Sequence, residues 1–408
     1  MTKIKTNRNN TNNVPPLRFP EFSGEWKGHK LRNVCKLLSG GTPALDISCY
    51  WNGNIPFISA AAMHKPYIID SEQYLSEEGL VHGSKLLKQG NLLLLVRGSM
   101  LWKRVPVCYN KVDVAFNQDV KGIIPNNITD SSFLLYWFLS QENRIKYMVT
   151  GTGIGARKLD MEDLLSMKIL IPPQDEQRKV VSLLQLIDNR ISTQNKIIEK
   201  YESLIQAIIY RKKVDGMHNG NWQKTELSKV LKERHKKNTD GHVVCSVSVS
   251  QGVVNQIEYL GRSFAAKETS HYNVVNYGDI VYTKSPTGNF PYGIVKRSCI
   301  QNAVAVSPLY GVYKPVSDSI GVILHFYFMQ PNHAFNYLHP LIQKGAKNTI
   351  NITNTRFLEN SIPLPKTEHE AVCIANALTG IQRKIEIEKN LLCLYEKEKQ
   401  HLLGQMFI

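Results

Sequence analysis

Two stretches of the chain carry the same heptad pattern of apolar residues, 194 positions apart. In each stretch the apolar positions alternate in steps of four and three, which places them on one narrow stripe of a helix and is typical of a coiled-coil seam. A polar residue interrupts both stripes at the same place, and a tyrosine follows it in each. The sequence therefore predicts one long helix made twice. The predicted seam consists of Leu184, Ile187, Ile191, Gln194, Ile198 and Tyr201 in the first helix and Leu378, Ile381, Ile385, Glu388, Leu392 and Tyr395 in the second.

The segments that precede the two predicted helices also match. A Gly-x-Trp sequence occurs at 24–26 and again at 220–222, and "QGNLLLLVRGS" (89–99) parallels "YGDIVYTKSPT" (277–287). Internal repeats of this kind indicate one architecture made twice. We therefore predict an α+β fold in which two pseudo-repeated mixed α/β domains are separated by two long helices. The predicted boundaries are a disordered leader at 1–16, a first domain at 17–173, a first helix at 174–215, a second domain at 216–365 and a second helix at 366–408.

The glycine-rich stretch "GTGIGARKL" (151–159) resembles a phosphate-binding loop at first sight. Its counterpart in the second repeat reads "GAKN" (345–348), so only a glycine, an alanine and a basic residue recur. A dinucleotide-binding loop would also follow a strand and open a helix, whereas this stretch follows a predicted helix. We interpret it as a loop that leads into the last helix and strand of its domain.

The charge balance indicates a polyanionic partner. The chain has 50 Lys and Arg residues against 34 Asp and Glu residues, a formal net charge of +16. Such an excess favours nucleic acid first and a membrane surface second. No apolar run approaches the roughly 20 residues that a membrane-spanning helix needs. The seven cysteines are scattered and form no C-x-x-C motif, which predicts reduced thiols in a cytoplasmic protein and no zinc site.

Motifs that mark common catalytic sites do not occur in the sequence. There is no P-loop, no Gly-x-Ser-x-Gly nucleophile elbow, and no Asn/Asp-Pro-Pro-Tyr/Phe segment of an amino-methyltransferase. His325, His333 and His339 cluster loosely but lack Cys or carboxylate neighbours at metal-ligand spacing. We therefore predict no catalytic residue and no metal site in this chain.

Basic loops remain as candidate functional sites. The segments "VRGSMLWKR" (96–104) and "TKSPTGNFPYGIVKR" (283–297) occupy equivalent places in the two repeats yet differ in sequence, as two half-site readers would. Arg and Lys suit phosphates and guanine edges, and Asn suits adenine, although two solvated strand-end loops are the alternative. We predict DNA contacts from Ser39, Thr42, Arg97, Ser99, Lys103, Arg104, Arg157 and Lys158 in the first domain, and from Lys284, Thr287, Asn289, Tyr292, Lys296, Arg297, Lys347 and Asn348 in the second.

Taken in order, these motifs resemble the specificity subunits of Type I restriction–modification systems. The resemblance rests on Trp26, "LSGGTP" (38–43), "QGNLLLLVRGS", "GTGIGARKL", and "KILIPPQDEQ" (168–177) with the long helix after it. The second half repeats the pattern through "GDIVYTKSPTG" (278–288) and "IPLPKTEHE" (362–370). It departs from the pattern where "LSGGTP" has only a weak counterpart near 230–238.

The resemblance implies a mechanism as well as a fold. Each globular domain would be a target-recognition domain that reads one half of a split sequence in double-stranded DNA. The two long helices would pack antiparallel as a coiled-coil spacer. Two methyltransferase subunits would bring S-adenosylmethionine chemistry, and restriction subunits would bring ATP- and Mg-dependent translocation and cleavage, so this chain would need no cofactor of its own. A stand-alone DNA-binding regulator and an enzyme with an unrecognised site are the alternatives.

Overall fold

The computed structural model describes residues 13–151, 157–261, 268–344 and 350–408. The chain divides into two compact units. Unit 1 comprises the described residues up to Thr193 together with Leu392–Ile408, and unit 2 comprises Gln194–Leu391. Each unit therefore contains one globular domain and one part of each long helix. The predicted fold class, two repeated mixed α/β domains with two long antiparallel helices, is confirmed.

Unit 1 is built around two mixed sheets, one of which buries a short helix. One sheet has the strand order β2-β10-β7-β8-β4 and the other has the order β5-β3-β9-β6. The remaining strands form the pairs β1·β13 and β11·β12. The strands are β1 Lys27–Lys30, β2 Cys35–Ser39, β3 Trp51–Ile58, β4 Tyr67–Ile68, β5 Tyr74–Leu75, β6 Leu86–Leu87, β7 Leu92–Leu95, β8 Val107–Asn110, β9 Val114–Phe116, β10 Val120–Pro125, β11 Val149–Gly151, β12 Arg157–Leu159 and β13 Lys168–Ile171; the helices are α1 Glu77–Gly83, α2 Ser131–Ser140, α3 Glu142–Lys146, α4 Met161–Ser166 and the long α5 Gln174–His218, which continues into unit 2.

Unit 2 repeats this plan with a smaller central sheet. That sheet is antiparallel throughout and has the order β15-β22-β19-β20, and the other strands form pairs. The strands are β14 Trp222–Glu226, β15 Leu231–Glu233, β16 Cys245–Ser248, β17 Gly252–Asn255, β18 Asn273–Val275, β19 Ile280–Tyr282, β20 Val295–Arg297, β21 Val304–Val306, β22 Gly311–Pro315, β23 Gln343–Lys344, β24 Ile350–Asn351 and β25 Ser361–Pro365; the helices are α6 Gln256–Leu260, α7 Asp318–Phe328, α8 Pro331–Leu338, α9 Asn354–Phe357 and the long α10 Glu368–Met406, which continues into unit 1.

The sequence repeat corresponds to a repeat of strand topology. The order β2-β10-β7-β8 of unit 1 recurs as β15-β22-β19-β20 in unit 2. Gly90 before β7 and Gly278 before β19 have φ values of +86° and +85°, a conformation that glycine adopts without steric penalty. A glycine turn therefore precedes the matching strand in each unit.

Each domain buries one aromatic helix against its sheet. Residues 133–138 of α2 are all buried, as are most residues of α7, so both helices are apolar on every side. Asp130 caps α2 by accepting hydrogen bonds from the backbone N–H groups of residues 132 and 133, and Ser317 caps α7 through the N–H of Ile320. These aromatic-rich segments therefore form part of the core of each domain.

A tryptophan fastens each domain to the start of its long helix. The first and last strands of each domain pair antiparallel, β1 with β13 and β14 with β25. Trp26 Nε1 donates to Glu176 Oε1 at 3.1 Å, and Trp222 Nε1 donates to Glu370 Oε1 at 3.0 Å. Arg18 also donates two bonds of 2.7 Å to Glu176 in unit 1. The Gly-x-Trp motif thus joins each domain to the first turn of a helix.

Part of the predicted leader belongs to unit 1. The backbone N–H of Trp26 donates to the carbonyl of Asn13 at 2.8 Å, and Pro15 is buried. Residues 13–16 are therefore held by the domain, which corrects the boundary predicted at residue 16. Residues 1–12 lie outside the described part of the chain.

The long helices run antiparallel in both units. In unit 1, Asp188 and Arg190 of α5 lie against Lys399 and Tyr395 of α10. In unit 2, Gln194 Nε2 donates to the carbonyl and to Oε2 of Glu388. All twelve predicted seam residues are buried or half-buried. The first helix ends three residues beyond its predicted end, and the second begins two residues after its predicted start.

The seam of unit 1 contains an ion pair. Asp188 Oδ1 lies 2.5 Å from Lys399 Nζ, both side chains are 15% exposed, and Tyr136 donates to Asp188 Oδ2 at 2.8 Å. The positions 194 residues away, Gln382 and Ile205, form the corresponding part of unit 2 and carry no charge. The seam is therefore charged at these positions in unit 1 and uncharged at the corresponding positions in unit 2.

We expect Asp188→Ala to lower the free energy of unfolding by about 3 kcal/mol, because it leaves the Lys399 ammonium enclosed without its carboxylate. The double variant Asp188→Gln, Lys399→Ile copies the uncharged arrangement of unit 2 and should unfold within about 1 kcal/mol of the wild type. Urea denaturation followed by tryptophan fluorescence measures both. Additive losses in the double variant would contradict a coupled pair.

Candidate nucleic-acid interface

The predicted DNA-contacting residues of the first domain gather at one end of its sheet. β2 ends at Ser39, β7 ends two residues before Arg97, and the antiparallel β10 between them begins at Val120. Lys121 Nζ donates to Ser39 Oγ at 2.7 Å, and Thr42 Oγ1 donates to Gln118 Oε1 at 2.8 Å. The antiparallel order therefore brings three distant segments to the same edge.

The hairpin β11·β12 docks beside this edge. The N–H of Gly98 donates to the carbonyl of Arg157 at 3.0 Å, and the N–H of Leu159 donates to the carbonyl of Val96 at 2.9 Å. These bonds place Arg97 opposite Lys158. We call the surface formed by Ser39, Thr42, Arg97, Ser99, Trp102, Lys103, Lys121, Arg157 and Lys158 the basic edge of unit 1.

Most cations of the basic edge are accessible. The side chain of Arg97 is 55% exposed and lies 3.9 Å from Asp119 Oδ1, a distance at which a surface ion pair is weak. Lys103, Lys158 and Ser99 are exposed as well. Arg104 is tethered, because its Nη2 donates to the carbonyl of Met63 at 2.8 Å. The edge thus presents several cations and few acids.

The corresponding loop of unit 2 leaves β19 and returns as β20. Lys284 has a φ of +64°. A Cβ on Gly293 would lie 2.8 Å from the backbone N of Lys284, so glycine is required at position 293. Thr287 and Phe290 exchange two backbone bonds of 3.0 Å at the loop tip, which leaves Thr287 and Asn289 exposed. This tip presents the small and amide side chains that the sequence predicted.

The other predicted residues of this loop are less accessible. Lys284 is half-buried, and burial lowers its pKa although Glu233 opposes the shift. Tyr292 packs its ring 5.3 Å from that of Phe335 and 5.8 Å from that of His339. Tyr292 therefore braces the loop against α8 and the short helical turn after it.

The structure corrects the expected exposure of Lys296 and Arg297. Both lie on β20, which packs against α7, and they are only 3% and 6% exposed. Arg297 is engaged by Asp318, and its guanidinium lies 4.7 Å from the ring of Tyr277. The loop ends before β20, so its last two cations belong to the interior of unit 2 and not to an accessible surface.

Burial changes the titration of two groups near β20. It lowers the pKa of Lys296 to about 8. It also lowers the pKa of His325 to about 3, an effect that the nearby charges of Lys296 and Arg297 reinforce. His325 Nδ1 accepts a hydrogen bond from the backbone N–H of Arg297 at 3.2 Å, which requires the neutral ring at that nitrogen. His325 is half-buried, and this bond ties its ring to β20.

Two of the predicted DNA-contacting residues lie outside the described part of the chain. Two residues of the basic edge, in turn, were not predicted. Lys347 and Asn348 lie outside the described residues, as do residues 152–156 of the glycine-rich stretch. Sequence reasoning missed Lys121 and Trp102. Lys121 reaches the edge only through the register of β10 with β2, which leaves no local signal in the sequence. Trp102 could have been found, because it lies inside the predicted loop as an aromatic residue among cations.

The described residues contain no group of three His, Cys, Asp or Glu side chains that could hold a metal ion. The seven cysteines, all within the described ranges, are free thiols, and burial raises the pKa of Cys35 to about 11 and that of Cys108 to about 12. Among these residues, no helix has the length and apolar content needed to cross a membrane.

Lys296 provides a test of the burial in unit 2. Its pKa falls from 10.5 in an exposed setting to about 8 in the folded chain, so the unfolded chain binds the proton more tightly. Stability should therefore rise with pH between about 8 and 10.5, and the penalty of the charge is complete below pH 8. We expect Lys296→Met to stabilise the protein at pH 7 and this gain to shrink towards pH 10.5.

Urea unfolding of the wild type and the variant at several pH values measures the gain. Lys232→Met is the matched control, because Lys232 is an exposed lysine on the same sheet. It should show no gain that depends on pH. A constant difference between wild type and Lys296→Met from pH 7 to pH 10.5 would contradict the buried charge.

Known proteins resemble the chain in sequence. Residues 23–203 match the family model described as the Type I restriction modification DNA specificity domain. The EcoR124I/EcoR124II specificity subunit of Escherichia coli is 33% identical over 174 residues, which are 42% of this chain and 43% of the relative. The MjaVIII specificity subunit of Methanocaldococcus jannaschii is 23% identical over 414 residues, 95% of this chain and 92% of the relative.

Solved structures show the same fold. The Type I restriction–modification S subunit from M. genitalium superposes with a TM-score of 0.60 at 12% identity, covering 97% of this chain and 99% of that one. A chain from a study of complex assembly and conformational transition of the type I R-M system gives a TM-score of 0.52 at 12% identity, covering 93% and 97%. The alignment with the Escherichia coli subunit spans less than half of that relative. Over residues 23–203 in sequence, and across most of its length in fold, the chain is similar to Type I restriction–modification specificity subunits.

Proposed function

We propose that this chain reads a two-part DNA sequence, with one half recognised by each unit. The observation that carries the proposal is the repeat itself: the strand orders of the two units match, yet the loops after β7 and β19 present different side chains. A single binding specificity would need the same loop twice. Two different loops on one scaffold suit two different half-sites.

The chemistry of the exposed groups supports DNA as the partner. The exposed cations of the basic edge, Arg97, Lys103 and Lys158, would neutralise phosphates and release counterions. In unit 2 the exposed tip offers Thr287 and Asn289, whose hydroxyl and amide groups can hydrogen-bond to base edges. The net charge of +16 favours association of the chain with the negatively charged DNA backbone.

The long helices would serve as a spacer. α5 has 45 residues and is therefore roughly 67 Å long at 1.5 Å per residue. Polar contacts in the seam, such as Gln194 with Glu388, would set the register of the helix pair within unit 2. A fixed register gives a rigid element, which suits a protein that must hold two reading surfaces on one DNA molecule.

In this proposal the chain supplies sequence recognition and its partners supply the chemistry. Two methyltransferase subunits would bind the chain and use S-adenosylmethionine, and restriction subunits would use ATP and Mg for translocation and cleavage. The complex would work in the cytoplasm, where the DNA is. The described residues support this division, since they gather cations and amides at strand ends.

Methylation mapping tests the proposal most directly. We expect single-molecule sequencing of a host that carries this chain with its methyltransferase subunits to show one methylated two-part adenine motif. That motif should disappear when the gene for this chain is deleted. Methylation that persists unchanged would contradict the role in recognition, and tight binding of the purified chain alone to one sequence would favour a stand-alone regulator.

Domain exchange tests the assignment of one half-site to each unit. Replacing residues 17–170 with the same region of a relative of different target should change only one half of the methylated motif, because β19, β20 and their loop remain untouched. The reciprocal exchange in unit 2 is the matched control and should change the other half. A change of both halves in either hybrid would show that the units do not read separately.

A further inference from the structure

Trp102 is the large aromatic residue of the basic edge. It ends the short helical turn Ser99–Trp102, and its side chain is 58% exposed. Tryptophan is enriched at binding interfaces, where its ring supplies a large contact area and its N–H a hydrogen-bond donor. The Arg157 guanidinium lies 3.5 Å from the centroid of the Trp102 ring.

Arg157 is held from several directions. Its carbonyl accepts the N–H of Gly98, and the strand β12 fixes its backbone opposite Gly151. A Cβ on Gly151 would lie 3.5 Å from Nη1 of Arg157, so the guanidinium passes close to the hairpin backbone. Among the described residues, no carboxylate forms an ion pair with Arg157, whereas Arg97 faces Asp119. Stacking and backbone contacts, and not a counterion, set its orientation.

We propose that Arg157, held against the ring of Trp102, recognises a guanine in the half-site read by unit 1. The inference rests on the proposed function and assigns one residue a base, where the sequence alone indicated only contact with DNA. A guanidinium presents a planar fork of N–H donors, and the O6 and N7 atoms of guanine are two acceptors that match this fork in the major groove. Trp102 is the positioning residue.

The fixed plane of Arg157 favours a base over a phosphate. Phosphates can be reached from many directions, and flexible side chains such as Lys103 and Lys158 on the same edge are suited to them. An arginine whose plane is fixed before binding loses less conformational freedom when it meets a paired acceptor. The guanidinium of Arg157 contacts the Trp102 ring, and among the described residues no carboxylate is paired with it. DNA would therefore not have to displace a carboxylate to reach Arg157.

The test uses the complex of the full chain with its methyltransferase subunits. Duplexes carry the methylated motif of that complex, and each G·C pair of the half-site changed by exchange of residues 17–170 is replaced in turn. Affinity is measured by fluorescence anisotropy at one fixed salt concentration. Arg157→Lys keeps the charge but removes the fork, and we expect it to lose about 10- to 100-fold in discrimination at one G·C pair only.

Two further variants separate positioning from a purely structural role. Trp102→Ala should weaken discrimination at the same G·C pair, and Trp102→Phe, which keeps an aromatic face, should restore most of it. Lys103→Gln is the control for a phosphate contact. It should weaken binding to every duplex alike and reduce the slope of log affinity against log salt by about one.

The outcomes discriminate between the possible roles of Arg157. An equal loss on every duplex for Arg157→Lys would make it a phosphate contact and overturn the inference, and so would unchanged discrimination. Thermal unfolding of each variant complex shows whether a loss of discrimination comes from misfolding. If Trp102→Ala misfolds, the comparison of Trp102→Phe with the wild type supplies the test. If the wild-type complex itself discriminates no two-part sequence, the proposed function fails, which is a different result from a silent Arg157→Lys.

Discussion

Each unit depends on the junction between its domain and the first turn of its long helix. Glu176 is fully enclosed, and a buried carboxylate is tolerated only when donors satisfy it. Trp26 and Arg18 supply three such bonds, and the amino-terminal end of α5 adds the favourable field of the helix dipole. Because β1 and β13 pair beside this point, the chain enters and leaves the domain at one place. Trp222 and Glu370 repeat the junction in unit 2.

The parts of the fold that follow from local periodicity could be predicted from the sequence. The heptad stripes predicted the long helices within a few residues of their ends. Strand burial was harder. Lys296 and Arg297 lie in a three-residue strand beneath α7, and a strand that short carries no alternation from which burial on both faces could be read.

The candidate site shows the same limit. Residues within one loop, such as Arg97 and Lys103, could be grouped from the sequence, since they are near neighbours along the chain. The contact of Trp102 with Arg157 joins two segments that meet only because β12 docks beside the residues after β7. Ser39 and Lys121 likewise meet through antiparallel register. Pairings between distant segments depend on tertiary packing, for which a single sequence carries no local signal.

The Asp188–Lys399 pair also limits how the duplicated halves can be recombined. If both long helices were copies of α5, the place of Lys399 would be taken by the counterpart of Ile205, and the counterpart of Asp188 would stand where Gln382 is. Two enclosed carboxylates would then lack a cation, and an uncompensated buried charge is strongly destabilising. The copies have therefore become complementary and are no longer interchangeable. Hybrid subunits should carry their own α5 and α10 together, even when the globular domains between them come from different parents.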